Sequence, residues 1–290
     1  MEKYTINDLE RDYPDNDACL ERLKNQLFPN GIFCSECGKV TKHHKLVSRP
    51  SYSCDYCGHH VHPTVGTIFE KSTTPLRIWF HAIYLMSSTR CGISAKQIQR
   101  ETGVTYKTAW RMFKQIRSLL AEDESRAGVV EADETYMGGK EKNKHATKRT
   151  IDCRGTKGKQ PVVGVVERHG KITAKVVPNT SVPEIHKFIY RNVDTNSTIY
   201  SDEHSGYDGL AGYKHISVNH HSGEYVRGDA HTNTIEGFWS LLKRGITGVY
   251  HSVDEKYLQS YVNEYGFRYN HRKDEQPMFE SFLGQIVSVR

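Results

Sequence analysis

No stretch of this 290-residue sequence offers the roughly 18 consecutive apolar residues that a membrane helix needs. The longest apolar run, Ile78 to Met86, is short and contains His81. The first residues, Met-Glu-Lys-Tyr-Thr, lack an apolar run behind a basic start, so no secretory signal is expected. Internal repeats are missing too, and the one low-complexity stretch is the Lys-rich segment 140–159. Hydrophobic residues make up 37% and charged residues 26%, which excludes a disordered or fibrous chain and supplies material for two or three small cores. Cysteines are few and odd in number, seven. Without a secretion signal their thiols are expected to be reduced, which favours metal binding over disulfides.

Positive charge is in slight excess, +6, but unevenly placed. Between Lys39 and Arg117 stand thirteen Lys/Arg against three Asp/Glu, and between Lys140 and Lys159 eight against two; the remainder is net acidic. Two basic blocks in an acidic chain suggest contacts with a polyanion at defined places, although solvated surface charge gives the same pattern.

The pattern divides the chain. Residues 1–30 read as a helical lead-in, with Leu9, Cys19, Leu20, Leu23 and Leu27 at helical intervals before Pro29-Asn30-Gly31. Residues 31–70 are rich in Cys, His and Gly. Residues 71–120 look helical and 121–128 form a polar linker. Residues 129–290 alternate strands (Val129 to Asp133, Gln160 to Glu167, Lys171 to Val177, Thr198 to Asp202) with helices (Val182 to Asn192, Thr232 to Arg244, Asp254 to Tyr269), a mixed α/β arrangement carrying the basic loop 140–159. Tyr257, Tyr261 and Tyr265 share one face of the last helix and are read as packing surface.

Cys34-Ser-Glu-Cys37 and Cys54-Asp-Tyr-Cys57 form a C-x2-C-x16-C-x2-C quartet. Two thiolates three positions apart on a tight turn converge on one ion, and Gly38 and Gly58 let each knuckle fold back. The four sulfurs fit one structural, tetrahedral Zn²⁺ that supplies the folding energy of a module with little core. His59, His60 and His62 are read as facing solvent or phosphate, and Cys19, Cys91 and Cys153 as bystanders.

The segment Ile93 to Arg111 reads as helix, turn, helix. Ser94 suits the first N-cap, Gly103 the left-handed stop and Thr105 the second N-cap. Ile93, Ile98, Val104, Ala109, Trp110, Phe113 and Ile116 make the expected core. Tyr106, Lys107, Arg111 and Lys114 are then expected to face outward and touch DNA, with Tyr52 as a further candidate.

Asp133 and Asp202 each stand at the expected end of an apolar strand, where an α/β sheet presents site residues. Glu236 lies on a helix whose buried stripe is Ile235, Phe238, Trp239 and Leu242; Lys243 is two turns further along the same face, with Arg244 beside it. Carboxylates brought together repel and raise each other's pKa, and divalent metal relieves this. An oxygen-only ligand set suits Mg²⁺ or Mn²⁺, and a pair of such ions can activate the attacking oxygen and stabilise the leaving oxygen of a phosphodiester.

The order of cysteine quartet, helix-turn-helix, Glu-Ala-Asp133-Glu-Thr-Tyr, Tyr-Ser-Asp202-Glu-His204-Ser-Gly-Tyr and His231-Thr-Asn233-Thr-Ile-Glu236-Gly-Phe-Trp-Ser-Leu-Leu-Lys243-Arg244 resembles the DDE transposases of bacterial insertion sequences, in the Merlin-related group. The resemblance covers roughly residues 15–285. It implies an RNase H-like catalytic domain behind a zinc ribbon and a helix-turn-helix, with Asp133, Asp202 and Glu236 as catalytic ligands of two Mg²⁺ or Mn²⁺ ions. Asn233, three residues before Glu236, is a partner or a rival for the third place, and His204 an accessory residue. It further implies DNA partners (element ends and target), a homodimer or larger assembly on DNA, no membrane or small-molecule substrate, and a cytoplasmic, nucleoid-associated location. The alternatives are a non-catalytic, domesticated DNA-binding regulator and a nuclease on the same fold that cuts without joining.

Overall fold

A computed structural model describes residues 4–139, 158–218 and 231–287, so the basic stretch 140–159 lies outside the described residues but for its last two positions. The chain divides into two compact units: residues up to Leu119 together with those from Asp274 onward, and Leu120–Lys273. Among the described residues no helix is long and apolar enough to cross a membrane.

In the first unit the lead-in is two helices, α1 (Ile6–Asp12) and α2 (Asn16–Leu27). Thr5 and Asp8 form a reciprocal capping box on α1, and Asp15 accepts from the first N–H groups of α2; these two caps explain the break at Tyr13-Pro14. The ribbon follows as five short strands: β1 (Phe33–Cys34) pairs with β2 (Lys39–Val40), and β3 (His43–Lys45), β4 (Tyr52–Cys54) and β5 (His60–Val61) form an antiparallel sheet. Then come α3 (Leu76–Ser88), α4 (Ala95–Thr102) and α5 (Tyr106–Ser118). Ser94 accepts from the Gln97 N–H, Gly103 takes φ 71° and Thr105 accepts from the Thr108 N–H, the three devices the sequence offered for a helix, a stop and a second helix. Ile93, Ile98, Ala109, Phe113 and Ile116 are buried, whereas Val104 and Trp110 are only half so.

Two boundaries differ from the sequence reading. The catalytic region was expected to run to residue 290, but the last helix, which carries Phe279, Phe282, Leu283 and Ile286, buries these side chains in the first unit. There Phe279 stacks on Tyr4 at 4.7 Å and meets Tyr13 and Phe80, and Arg22 pairs with Glu280 at 2.7 Å. Segment 121–128, read as a linker, is tied into the second unit. Arg126 is buried; its guanidinium donates to Thr173 Oγ1 and the Ile172 carbonyl, and its backbone bonds Asn192 and Asp194.

The second unit is one mixed sheet. Strands β6 (Val129–Met137), β7 (Gln160–Glu167) and β8 (Ile172–Val176) run antiparallel in turn, joined after β7 by a turn in which His169 takes φ 61°. Helix α6 (Val182–Asn192) then crosses to β9 (Thr198–Ser201), which pairs parallel with β6, and β10 (Lys214–Ser217), not foreseen, pairs parallel with β9. The spatial order β10-β9-β6-β7-β8 is the expected RNase H-like arrangement.

Because strand side chains alternate between faces, β6 serves two cores. Val130 and Ala132 pack with Ile185, Phe188 and Ile189 of α6. The opposite face, with Met137, Val162 and Val166, is covered by α7 (Asn233–Gly245) and α8 (Glu255–Asn270) through Ile235, Phe238, Trp239, Leu242, Leu258, Val262 and Tyr265. Helix α8 also satisfies the outer edge of β8. Asn270 accepts from the Ile172 N–H and donates to its carbonyl, and Gln259 accepts from the Val176 N–H and donates to the Ala174 carbonyl. Side-chain amides thus stand in for a sixth strand and blunt a pairing edge. The final helix, in the first unit, is α9 (Met278–Val287).

Candidate active site and zinc centre

The cysteine quartet closes as expected. Gly38 and Gly58 take φ 65° and 73°, and each donates its N–H back to the first cysteine of its knuckle, to Cys34 and Cys54. The sulfurs of Cys34, Cys37, Cys54 and Cys57 lie within 4.8 Å of one another, a thiolate set matched to Zn²⁺. A hydrogen bond from the Thr41 hydroxyl, 3.2 Å from Cys54 Sγ, draws that thiol down, while the neighbouring Cys57 sulfur pushes Cys37 up.

Helix α5 presents the expected basic face only in part. Lys107 and Lys114 are exposed, and Tyr106 is 44% exposed with Lys96 Nζ 4.5 Å from its ring centre. Arg111, expected to reach outward, donates to Ser72 Oγ and Thr74 Oγ1 and lies over the Trp79 ring, so its guanidinium is engaged by its own unit. Tyr52 is buried and donates to Glu21 at 2.6 Å, which removes it from the outward-facing set.

The carboxylates meet where the parallel strands part. The last register pair between β6 and β9 is Glu131 with Tyr200. Asp133 stands two residues beyond it on β6, and Asp202 just past the end of β9. Asp133 is thus not at a strand end, because β6 continues to Met137 against β7; it is at the end of the parallel pairing, which leaves the same opening. Oxygens of Asp133, Glu134 and Asp202 lie within 4.8 Å of one another. Each carboxylate has a donor on one oxygen: Trp239 Nε1 to Asp133 Oδ2 at 2.9 Å, Tyr207 Oη to Glu134 Oε2 at 3.2 Å, and the His204 N–H to Asp202 Oδ1 at 3.0 Å. His204 Nε2 is also 3.8 Å from Glu134. Burial, then the charges of Asp202 and Glu134, push Asp133 up to about 8, and burial followed by Asp202 raises Glu134. A buried cluster of oxygen donors in which the charged form of Asp133 is disfavoured fits a divalent cation.

Glu236, expected as the third carboxylate, is not among the oxygens within 4.8 Å of one another; Glu134, which the sequence reading did not single out, is. The Glu134 side chain, on the other face of β6, reaches round to Asp133 and Asp202, whereas Glu236 is exposed and accepts from Thr232 Oγ1 at 2.8 Å. Both belong to one cleft of about 410 Å³, lined by Asp133, Glu134 and Thr135 of β6 and by Glu236, Trp239, Ser240, Lys243 and Arg244 of α7. Asn233 is exposed at the first turn of α7.

Glu131 was missed by the sequence reading, yet period two puts it on the same face as Asp133. Fully buried, it accepts from the N–H groups of Thr234 and Ile235 and from Thr234 Oγ1, and so caps α7 from the neighbouring strand. Arg168 Nε lies 3.6 Å and His231 Nδ1 3.3 Å from it. Removing this carboxylate takes away the anion beside half-buried Arg168 and His231 and uncaps α7. Glu131→Ala is expected to cost about 3–5 kcal/mol. Chemical denaturation of the Leu120–Lys273 unit within the full chain checks this; a loss under 1 kcal/mol would show that α7 is anchored by its apolar stripe alone.

Comparison with known proteins gives the family. The ISXO2-like transposase domain family matches residues 126–270, and the transposase zinc-ribbon domain family residues 14–60. A protein of Halobacterium salinarum described as an uncharacterized protein in transposable element ISH50 is 30% identical over 255 residues, covering 82% of this chain and 85% of that one. The chain is similar to the solved catalytic core of BIV integrase, at 11% identity and a TM-score of 0.33 over 55% of this chain and 95% of that one. It is also similar to a pre-cleavage Mos1 transpososome, at 11% identity and a TM-score of 0.26 over 72% and 77%. By the two family models and the Halobacterium relative, the chain belongs to the ISXO2-like transposases, DDE enzymes that act on DNA with divalent metal.

Proposed function

We propose that this transposase binds the terminal repeats of an insertion sequence through its first unit and cuts and joins DNA at Asp133, Asp202 and Glu236. Two Mg²⁺ or Mn²⁺ ions serve the cleft, and one structural Zn²⁺ the ribbon. The observation that carries the reading is that Asp133 and Asp202, far apart in the chain, offer oxygens within 4.8 Å of one another, and that Asp133 also lines a cleft with Glu236 and Lys243. Glu134 adds a fourth carboxylate to the set.

Divalent cations bound there supply Lewis-acid activation of the attacking water or 3′-hydroxyl and neutralise charge on the departing 3′ oxygen. The chain's own residues do the rest. Asp133 and Asp202 present oxygens from rigid strands, with one oxygen of each fixed by Trp239 or the His204 N–H. Glu236 is delivered by α7, whose register on the sheet is set by Glu131. Lys243 and Arg244, exposed at the cleft, bind the phosphates on either side of the scissile bond and hold the strand in line. Tyr106, Lys107 and Lys114 contact the element ends. Hydrolysis frees the 3′-hydroxyls, and transesterification joins them to target DNA. Two ends must be brought together, so the active species is a homodimer or larger assembly on DNA, acting in the cytoplasm.

A strand-transfer assay tests this, with the zinc-loaded protein, oligonucleotides carrying the flanking inverted repeats, and Mg²⁺ or Mn²⁺. Cleavage followed by joining is expected, with both lost in Glu236→Gln. Cleavage without joining would mean a nuclease, and binding without cleavage a regulator.

A further inference from the structure

Trp239 was read in the sequence as one member of the buried stripe of α7, and its six-membered ring does pack there. Its pyrrole edge does something else. The indole N–H donates to Asp133 Oδ2 at 2.9 Å from a side chain that is only 4% exposed. The sheet makes room for it at one position. Gly164 stands opposite Asp133 in the β6–β7 register, inside the run Val162-Val163-Gly164-Val165-Val166. A Cβ at Gly164 would lie 2.7 Å from Trp239 Cη2 and 2.9 Å from Cζ2. A glycine weakens a strand interior, so this run gives up strand stability where the indole must lie against the backbone.

We propose that Trp239, seated on Gly164, is the positioning residue of the catalytic metal site: it fixes Asp133 by one oxygen and leaves the other to the cation. This rests on the reading of the cleft as that site. The choice of group follows from its chemistry. An indole N–H is donor-only. It orients the carboxylate without accepting a metal itself, as an Asn or Ser in its place would, and without neutralising the charge, as Lys or Arg would. The ring also keeps water from competing for Oδ2. Partners of this kind, one bond removed from a metal, typically change affinity or activity by about 10–100-fold when lost.

The test is calorimetric titration of Mn²⁺ into the zinc-loaded full chain. Trp239→Phe keeps an aromatic ring and removes the N–H; its Mn²⁺ affinity is expected to fall about tenfold or more, while the space left by the smaller ring lowers the melting temperature of the metal-free protein. Cleavage should then need correspondingly more Mn²⁺. A merely structural role for Trp239 would lower the melting temperature and leave the metal dependence in place. Gly164→Ala, which displaces the ring without touching either bonding group, should shift affinity in the same direction. If Trp239→Phe does not fold, the benzothiophene analogue of tryptophan, with sulfur in place of N–H and the same outline, carries the test. Parent-like Mn²⁺ affinity in Trp239→Phe or the analogue overturns the proposal. Asp133→Asn separates the two failures: if that variant also keeps its Mn²⁺ affinity, the cleft is not the metal site, whereas if it loses affinity and Trp239→Phe does not, only the role of Trp239 falls.

Discussion

Asp133→Asn is expected to abolish DNA cleavage and joining while making the metal-free protein more heat-stable at alkaline pH. Losing an anionic ligand removes several kcal/mol of charge stabilisation from the reacting phosphate, or roughly 10³-fold or more in rate. End binding should survive, since the proposed end contacts are on α5 in the other unit. The stability effect has the opposite sign because the folded protein holds the Asp133 carboxyl up to about 8, through burial and then the charges of Asp202 and Glu134. A free aspartate titrates near 4, so in the window from about 4 to 8 the folded state binds the proton that the unfolded state releases. Stability therefore falls as pH rises through that window, and the full penalty is present above 8. Asparagine has no charge to bury, and its carbonyl oxygen still accepts from Trp239. The gain should be of order a few kcal/mol above pH 8, or about 5–10 °C, and vanish below pH 4. Mg²⁺ should stabilise the parent by binding the native carboxylates and leave the variant unmoved. Calorimetric scans between pH 4 and 9, with and without Mg²⁺, measure both effects; a gain independent of pH would sink the electrostatic account.

The sequence made the α7 stripe, the capped helix-turn-helix and the cysteine knuckles legible because each depends on residues close together in the chain. Ser94, Gly103 and Thr105 act within one turn of themselves, and Gly38 and Gly58 within one knuckle. What escaped depends on pairing. Nothing local says that Gly164 lies opposite Asp133, that Glu131 meets the start of α7, or that Glu134 curls round a strand to join two aspartates facing otherwise. Strand β10 is short and half-exposed, and its four residues carry little alternation to read. Helix α9 was invisible as part of the first unit because amphipathic pattern tells which face is buried and not against what. Arg111 faces outward as its helix position suggests, but pattern could not say that Ser72, Thr74 and the Trp79 ring also hold its guanidinium.

Removing zinc should have the largest effect on folding. The ribbon has little else to hold it. Of its apolar residues Ile32, Tyr52 and Phe69 are buried, but Phe33, Val40, Val47, Tyr56 and Val65 are exposed, and its strands are two or three residues long. Binding of Zn²⁺ to four thiolates contributes about 10–16 kcal/mol in small modules, more than such a core provides. Chelation, or Cys37→Ser, is therefore expected to unfold residues 31–70. Tyr52 would then lose its bond to Glu21, while α3 to α5 and the Leu120–Lys273 sheet keep their cores. A chelator strips the catalytic cations too, so Mg²⁺ must be restored in excess before DNA is added; whatever loss remains belongs to the ribbon. Limited proteolysis with mapped cleavage sites should find new cuts confined to the ribbon, and any fall in affinity for element ends then measures what the ribbon adds to the contacts proposed on α5. Cutting of non-specific DNA by the catalytic unit should persist. Acid should reproduce the effect, because each thiolate must be deprotonated to hold the ion. A zinc-free protein that resists proteolysis across 31–70 would mean that the ribbon folds by its core alone and that the quartet serves some other end.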